Sequence, residues 1–356
     1  MVSEMEEGMI RLATALDKQD MIGFTLSFID DYKSGRESVN RELLPWLAEI
    51  DKGWAGILFI GMGGSAAAGD FVATLCDIEG AVPVKCHRGY DIPNWWTPDW
   101  LVVATSYSGN TEETLSACEQ AIDQDATVVV ISSGGILSGM CELSDSVYLI
   151  SCPGGQPPRS AFGHIFSRHL SLMIEIGILR TELSDAAIKR LQEAIEDSNI
   201  IIHPEGDVAS LALNMTKNPI AILGPQELMP AINRFKNQLN ENSARFARVG
   251  LFPEMNHNEA VAWGGVGENQ DPGINYLSKN DKWLKLTHED SMEFFIKDKL
   301  PTYKLIRNEI NEDLSKKTHF YWMSGSAFLY ALEKFPNITN KYHSCGPGNT
   351  LSLIHI

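Results

Sequence analysis

Short, wholly apolar runs alternate with helix-spaced segments, and this alternation constrains the fold of the chain more than any other feature. Ile57-Leu58-Phe59-Ile60 ends in a glycine turn, Val82-Pro83-Val84 follows a helical pattern, and Leu101-Val102-Val103-Ala104 leads into a cluster of hydroxyls. Val128-Val129-Val130-Ile131 ends in Ser132-Ser133-Gly134-Gly135, and Val147-Tyr148-Leu149-Ile150 closes the series. Strands with no polar face need cover on both sides, so the alternation implies a parallel sheet with helices on each face. Ahead of it, residues 1 to 45 carry Met21, Phe24, Phe28 and Ile29 at helical spacing and are predicted to form helices leading into the first domain.

A Gly/Pro stretch, Cys152-Pro153-Gly154-Gly155-Gln156-Pro157-Pro158, breaks the pattern. Residues 161–200 are helical by period, and a second series of apolar runs follows at 219–223, 246–249, 283–286 and 319–322, with a Gly/Asn/Asp-rich loop at 264–275. The expected architecture is α/β with two doubly wound domains, each a parallel sheet flanked by helices. The N-terminal domain with its leading helices takes residues 1–160, a helical linker 161–200, the C-terminal domain 201–340, and an atypical tail 341–356. A length of 356 residues suits two such domains of about 150 residues each.

Charge narrows the partners. The net charge of −17 argues against nucleic acid, which is met with an excess of Lys and Arg. It also repels anions at long range, so a phosphorylated ligand would need a local cradle of amides and hydroxyls. The six cysteines form no CxxC pair and fit a reducing compartment. The N-terminus lacks the basic start and apolar stretch of a signal peptide, and no run approaches the roughly 20 apolar residues of a membrane span. A cytoplasmic protein is expected.

In open parallel sheets ligands bind at the carboxyl ends of strands. Two strand-end turns there carry chemistry. Gly61-Met62-Gly63-Gly64-Ser65 precedes a helical Ala66-Ala67-Ala68 and brings backbone and helix-start amides close to an anion. Such a turn also serves packing alone. A dinucleotide fingerprint is disfavoured, because Ala66 stands where its third glycine belongs and the stretch from Lys85 to Gly89 offers no acidic ribose partner.

The second turn is more specific. In Thr105-Ser106-Tyr107-Ser108-Gly109-Asn110-Thr111-Glu112-Glu113-Thr114, the hydroxyls of Ser106, Ser108 and Thr111 gather just before a helix. Hydroxyls with helix-start amides can wrap a phosphate without a lysine. Asn110 or Thr111 is expected to cap the helix as well, but a cap needs one hydroxyl, not three.

Together, Gly63-Gly64-Ser65 and Ser106 through Thr114 resemble the phosphosugar-binding turns of the sugar isomerase (SIS) superfamily. Pro157-Pro158-Arg159-Ser160-Ala161, Asn240-Glu241-Asn242-Ser243-Ala244 and Phe252-Pro253-Glu254-Met255-Asn256-His257-Asn258-Glu259 resemble one branch of it, the bifunctional phosphoglucose/phosphomannose isomerases. The resemblance covers roughly residues 10 to 335. It implies interconversion of glucose 6-phosphate, and mannose 6-phosphate, with fructose 6-phosphate by proton transfer through an enediolate. Gly64, Ser65, Ser106, Ser108 and Thr111 would hold the phosphate, Glu241 would be the base, His257 would assist ring opening, and Arg159 would face the O1 and O2 oxygens. These residue types suit a reaction that needs a base beside a carbon acid and a cation facing an oxyanion.

The same resemblance implies a homodimer. No cofactor is expected, and no metal, since His257-x-Glu259 lacks a third ligand. The alternative is a non-catalytic phosphosugar-binding regulator, which needs the hydroxyl cradle but not Glu241, Arg159 or His257. Relatives of this branch carry a lysine on a terminal helix. Here the Gly/Pro-broken stretch from Cys345 leaves Lys341 as the last lysine. Either that lysine is lost, Lys341 replaces it, or the final dozen residues are not the natural end, and the last of these is the expectation.

Overall fold

The computed structural model describes residues 4–142, 144–180, 182–217, 220–252 and 254–257. These divide into two compact units. One runs from Ile10 to Gln192, and the other takes in the described residues from Glu193 onward together with those before Ile10.

The expected leading helices are α1 (Glu4–Leu16), α2 (Met21–Leu26) and α3 (Phe28–Glu37), followed by the short α4 (Leu47–Ile50). α1 opens with Glu4, Glu6 and Glu7 at the positive end of its dipole. The Asp17 carboxylate accepts the amide protons of Met21 and Ile22, both at 2.8 Å, and so supplies the cap that α2 otherwise lacks.

Five strands follow: β1 (Gly56–Gly61), β2 (Val84–His87), β3 (Trp100–Thr105), β4 (Val128–Ser132) and β5 (Val147–Ser151). Between them run α5 (Gly63–Glu79), α6 (Glu112–Ile122) and α7 (Gly135–Gly139), and α8 (Phe162–Glu175) comes after. All five strands are parallel, in the order β2-β1-β3-β4-β5. The apolar run expected at 82–84 enters the sheet only at Val84. Pro83 has no N–H for a ladder, but at this edge only its carbonyl is used, accepting the Ile57 N–H at 3.0 Å.

The absence of polar alternation in the sequence is explained by cover on both faces. On one face Leu58, Ile60, Val102, Ala104, Val128 and Val130 pack with Ala117, Cys118 and Ala121 of α6. On the other, Phe59 meets the ring of His169 on α8, with centroids 4.9 Å apart, and Phe71 of α5 packs against Phe162 and Phe166. α3 lies beyond, with Phe28 stacked on Phe162 and Tyr32 tilted against Phe166. α8 opens the segment expected to link two domains, and in the structure it is buried along nearly its whole length within this unit.

After α9 (Asp185–Asp197) and α10 (Asp207–Lys217), the second unit shows a β-α-β crossover: β6 (Ile220–Pro225), α11 (Met229–Ser243) and β7 (Ala247–Phe252). β6 and β7 pair in parallel. Their core joins Ile222 and Ala247 to Ile232 and Phe235 of α11 and to Leu211 and Met215 of α10. The strands expected at 283–286 and 319–322, the loop at 264–275 and the tail with Lys341 lie outside the described residues. Among the described residues no helix is long and apolar enough to cross a membrane.

Candidate functional site

β1 and β3 are adjacent, and the helices that leave them cover opposite faces of the sheet, so the strand order switches between them. Gly61 pairs with Thr105, which brings the two strand-end turns to the same level. Crevices of this kind are where open α/β sheets hold ligands.

Two helix N-termini face this crevice. α5 starts after Met62 and α6 after Thr111, and neither start carries a side-chain cap. The expected capping by Asn110 or Thr111 is replaced by other bonds. Thr111 Oγ1 lies 2.8 Å from Ser106 Oγ, and Asn110 Oδ1 accepts the amide of Ile136 at 3.2 Å. The first-turn amides of both helices are thus left to a ligand, and the dipoles favour a negative one.

The hydroxyls are knitted to backbone. Buried Ser65 accepts the Tyr107 amide at 3.0 Å, joining the first turn to the second. Buried Ser106 accepts the Gly109 amide at 3.1 Å, and exposed Ser108 accepts that of Asn110 at 3.3 Å. Gly109 has φ of 70°, and a Cβ there would fall 1.8 Å from the Gly134 carbonyl oxygen, so no other residue fits. At Gly64 a Cβ would lie 2.8 Å from the Pro158 carbonyl oxygen and 3.0 Å from Arg159 Cα. The Pro158–Arg159 backbone therefore lies against the first turn. Half-buried Arg159 also donates to Gln19 Oε1 at 2.6 Å.

Gly64, Ser65, Ser106, Ser108, Thr111 and Arg159 thus belong to one unit and lie in or beside the two strand-end turns. Glu241 and His257 belong to the other unit. Glu241 is exposed in the last turn of α11. Two turns earlier on that helix is buried Arg234, whose guanidinium is pulled down to about 9 by burial while the charge of Glu241 opposes the shift. His257 ends a short 3-10 turn, Glu254–His257, after β7.

Several supporting residues had no signal in the sequence. Ser133 Oγ donates to the Tyr107 carbonyl at 2.6 Å, and Ser132 Oγ donates to that of Gly134 at 2.8 Å. His169 is buried, with Nδ1 3.0 Å from the Ile165 carbonyl and Nε2 2.9 Å from Thr105 Oγ1. A carbonyl only accepts, so Nδ1 carries the proton and Nε2 receives the Thr105 hydroxyl. Burial lowers the pKa of this imidazole to about 4, and it stays neutral. Nothing in spacing links position 105 to position 169.

Residues 205–320 match the family model of the bacterial phospho-glucose isomerase C-terminal SIS domain. The chain is 35% identical over 221 residues to a bifunctional phosphoglucose/phosphomannose isomerase of Caldicellulosiruptor bescii, covering 60% of this chain and 62% of that protein. Over these stretches the chain is similar to phosphoglucose/phosphomannose isomerases. A second such isomerase, from Thermoplasma volcanium, is 35% identical over 58% of this chain and 62% of its own length. A D-glucosamine-6-phosphate 4-epimerase of Sulfolobus acidocaldarius is 31% identical over 60% of this chain and 66% of its own. The chain therefore spans less than two thirds of the length of these curated relatives. With the C. bescii isomerase the likeness is also shorter than the span of 10 to 335 expected from the motifs.

Among solved structures, a hypothetical protein of Thermus thermophilus superimposes with a TM-score of 0.58 at 15% identity, over 99% of this chain and 87% of that one. The C-terminal domain of glucosamine-fructose-6-phosphate aminotransferase from Francisella tularensis gives 0.55 at 13%, over 95% and 92%. At these identities the likeness speaks for the α/β fold alone.

Proposed function

We propose that the chain is an aldose–ketose isomerase that interconverts glucose 6-phosphate, and mannose 6-phosphate, with fructose 6-phosphate. The observation that carries this reading is the pair of uncapped helix N-termini at the β1/β3 switch point, ringed by Ser65, Ser106, Ser108 and Thr111. A phosphate monoester is the ligand such a cradle suits: amides and hydroxyls donate to its oxygens, and two helix dipoles offset its charge without a lysine.

With the phosphate anchored, the carbohydrate end would be worked by three further residues. Glu241 moves the proton between C1 and C2, Arg159 faces the developing oxyanion, and His257 assists ring opening. The backbone approach of Pro158–Arg159 to Gly64 supports the assignment of Arg159. The assignments of Glu241 and His257 rest on likeness to the isomerases. The enzyme is proposed to act in the cytoplasm as a homodimer.

A coupled assay of the purified chain with glucose 6-phosphate and with mannose 6-phosphate tests the reading. Turnover of either to fructose 6-phosphate is expected. Tight binding of these sugars with no turnover would favour a non-catalytic phosphosugar sensor instead.

A further inference from the structure

Tyr107 stands between the two serines of the second turn, yet its side chain is buried, with 4% of the residue exposed. Its groups reach three other strand ends. The amide donates to Ser65 Oγ after β1 at 3.0 Å. The carbonyl accepts from both the amide (3.1 Å) and the hydroxyl (2.6 Å) of Ser133 after β4. The phenol donates to the Pro153 carbonyl at 2.7 Å and accepts the Gln156 amide at 3.3 Å, both after β5. Gln156 is itself anchored, since its Nε2 donates to Asp31 of α3 at 2.9 Å, and the other oxygen of that carboxylate lies 3.2 Å from His164 Nε2 of α8.

A tyrosine kept only for packing needs one partner for its hydroxyl. This one has two, both in the backbone of a single loop, and its own backbone is spent on turns rather than on a strand ladder. The same loop runs on to Pro158 and Arg159 beside Gly64. A change in the phenol's position is therefore felt at Ser65, at Ser106 and Ser108 on either side, and at the Arg159 loop.

We propose that Tyr107 is a positioning residue of the phosphate cradle, its hydroxyl fixing the backbone from which Ser65, Ser106 and Ser108 are presented. This rests on reading that turn as the phosphate site, but not on the chain being an isomerase.

Inorganic phosphate binding, measured by calorimetry, separates the two, because it does not require turnover. Tyr107→Phe keeps the ring and removes only the hydroxyl. Its affinity for phosphate should fall about 3- to 10-fold, the scale of a lost hydrogen bond. Gln156→Ala, which frees the loop from Asp31, should weaken binding less, and the double variant should be no worse than Tyr107→Phe alone, since both act through one hydroxyl. Val129→Ala, a cavity in the sheet core, controls for general loss of stability and should bind phosphate as the unaltered protein does. Unchanged phosphate affinity in Tyr107→Phe overturns the proposal, as do additive losses or an unaltered protein that binds no phosphate. An unaltered protein that binds phosphate but turns over no sugar phosphate would instead sink the isomerase reading.

Discussion

At the scale of single residues, the cradle and the base make separable predictions. Ser106→Ala with Thr111→Ala removes a hydroxyl pair 2.8 Å apart and should weaken sugar-phosphate binding by about 1–3 kcal/mol, measured by calorimetry. Unchanged affinity would place the phosphate elsewhere. Glu241→Gln should lower kcat by about two orders of magnitude while binding stays within a few-fold, as for loss of a general base. Because Glu241 also favours the charged form of Arg234, a melting curve must accompany the kinetics. Retained turnover would move the base to another residue. Ser106, Ser108 and Thr111 stand out in the sequence because hydroxyls crowd there beyond what one cap requires, and Ser65 because it follows a glycine-rich strand end. Tyr107, Ser133 and His169 do not, since their roles come from contacts between positions that only the fold brings together.

The elements were legible in proportion to how unmixed their residues are. β1, β3 and β4 carry no polar side chain in their centres and can be read directly. β2 starts later than its apolar residues suggest, because Pro83 looks apolar but cannot donate. α8 is harder. Its sequence, with His164, Ser167, Arg168 and His169, reads as a half-exposed helix, yet all four are buried. Burial is tolerated because partners lie elsewhere: Asp31 for His164, the Ser151 carbonyl for Arg168, and Thr105 with the Ile165 carbonyl for His169. Burying His169 in the neutral form has a pH signature. With its folded pKa near 4 against 6.5 unfolded, its contribution is complete above about pH 6.5 and is lost as pH falls toward 4. The loss should approach about 1.4 kcal/mol per pH unit within that window. Urea midpoints from pH 7 to pH 4.5 should therefore fall less steeply for His169→Gln than for the unaltered protein. Equal slopes would mean the imidazole titrates normally.

For the whole molecule, the α/β plan followed from strand–helix alternation. The second unit shows the same β-α-β logic in β6, α11 and β7. The net charge of −17 sets an expectation of its own. Long-range repulsion slows the approach of an anionic sugar, so kcat/KM at low substrate should rise, not fall, as potassium chloride goes from about 10 mM to 150 mM and screening sets in. A fall would mean that local positive potential dominates the approach. Sedimentation at micromolar concentration should give twice the monomer mass of 39.4 kDa, and a single-chain mass would count against the dimer.

The way the cradle's hydroxyls are bonded determines which ionic form of a ligand it can hold. Ser65, Ser106 and Ser108 each use an oxygen lone pair on a backbone amide, and Ser106 and Thr111 share one proton between them. What faces a guest is mainly donors, the helix-start N–H groups with the O–H of Ser65, of Ser108 and of one member of the Ser106–Thr111 pair, while each serine oxygen keeps one lone pair. Donors outnumber acceptors in such a ring, so it should favour the dianion over the monoanion of a phosphate ester, whose second ionisation lies near pH 6. Sugar-phosphate affinity should therefore fall below that pH, by at most about tenfold per unit. Sulfate, which stays a dianion throughout, should bind equally well at pH 5 and pH 7.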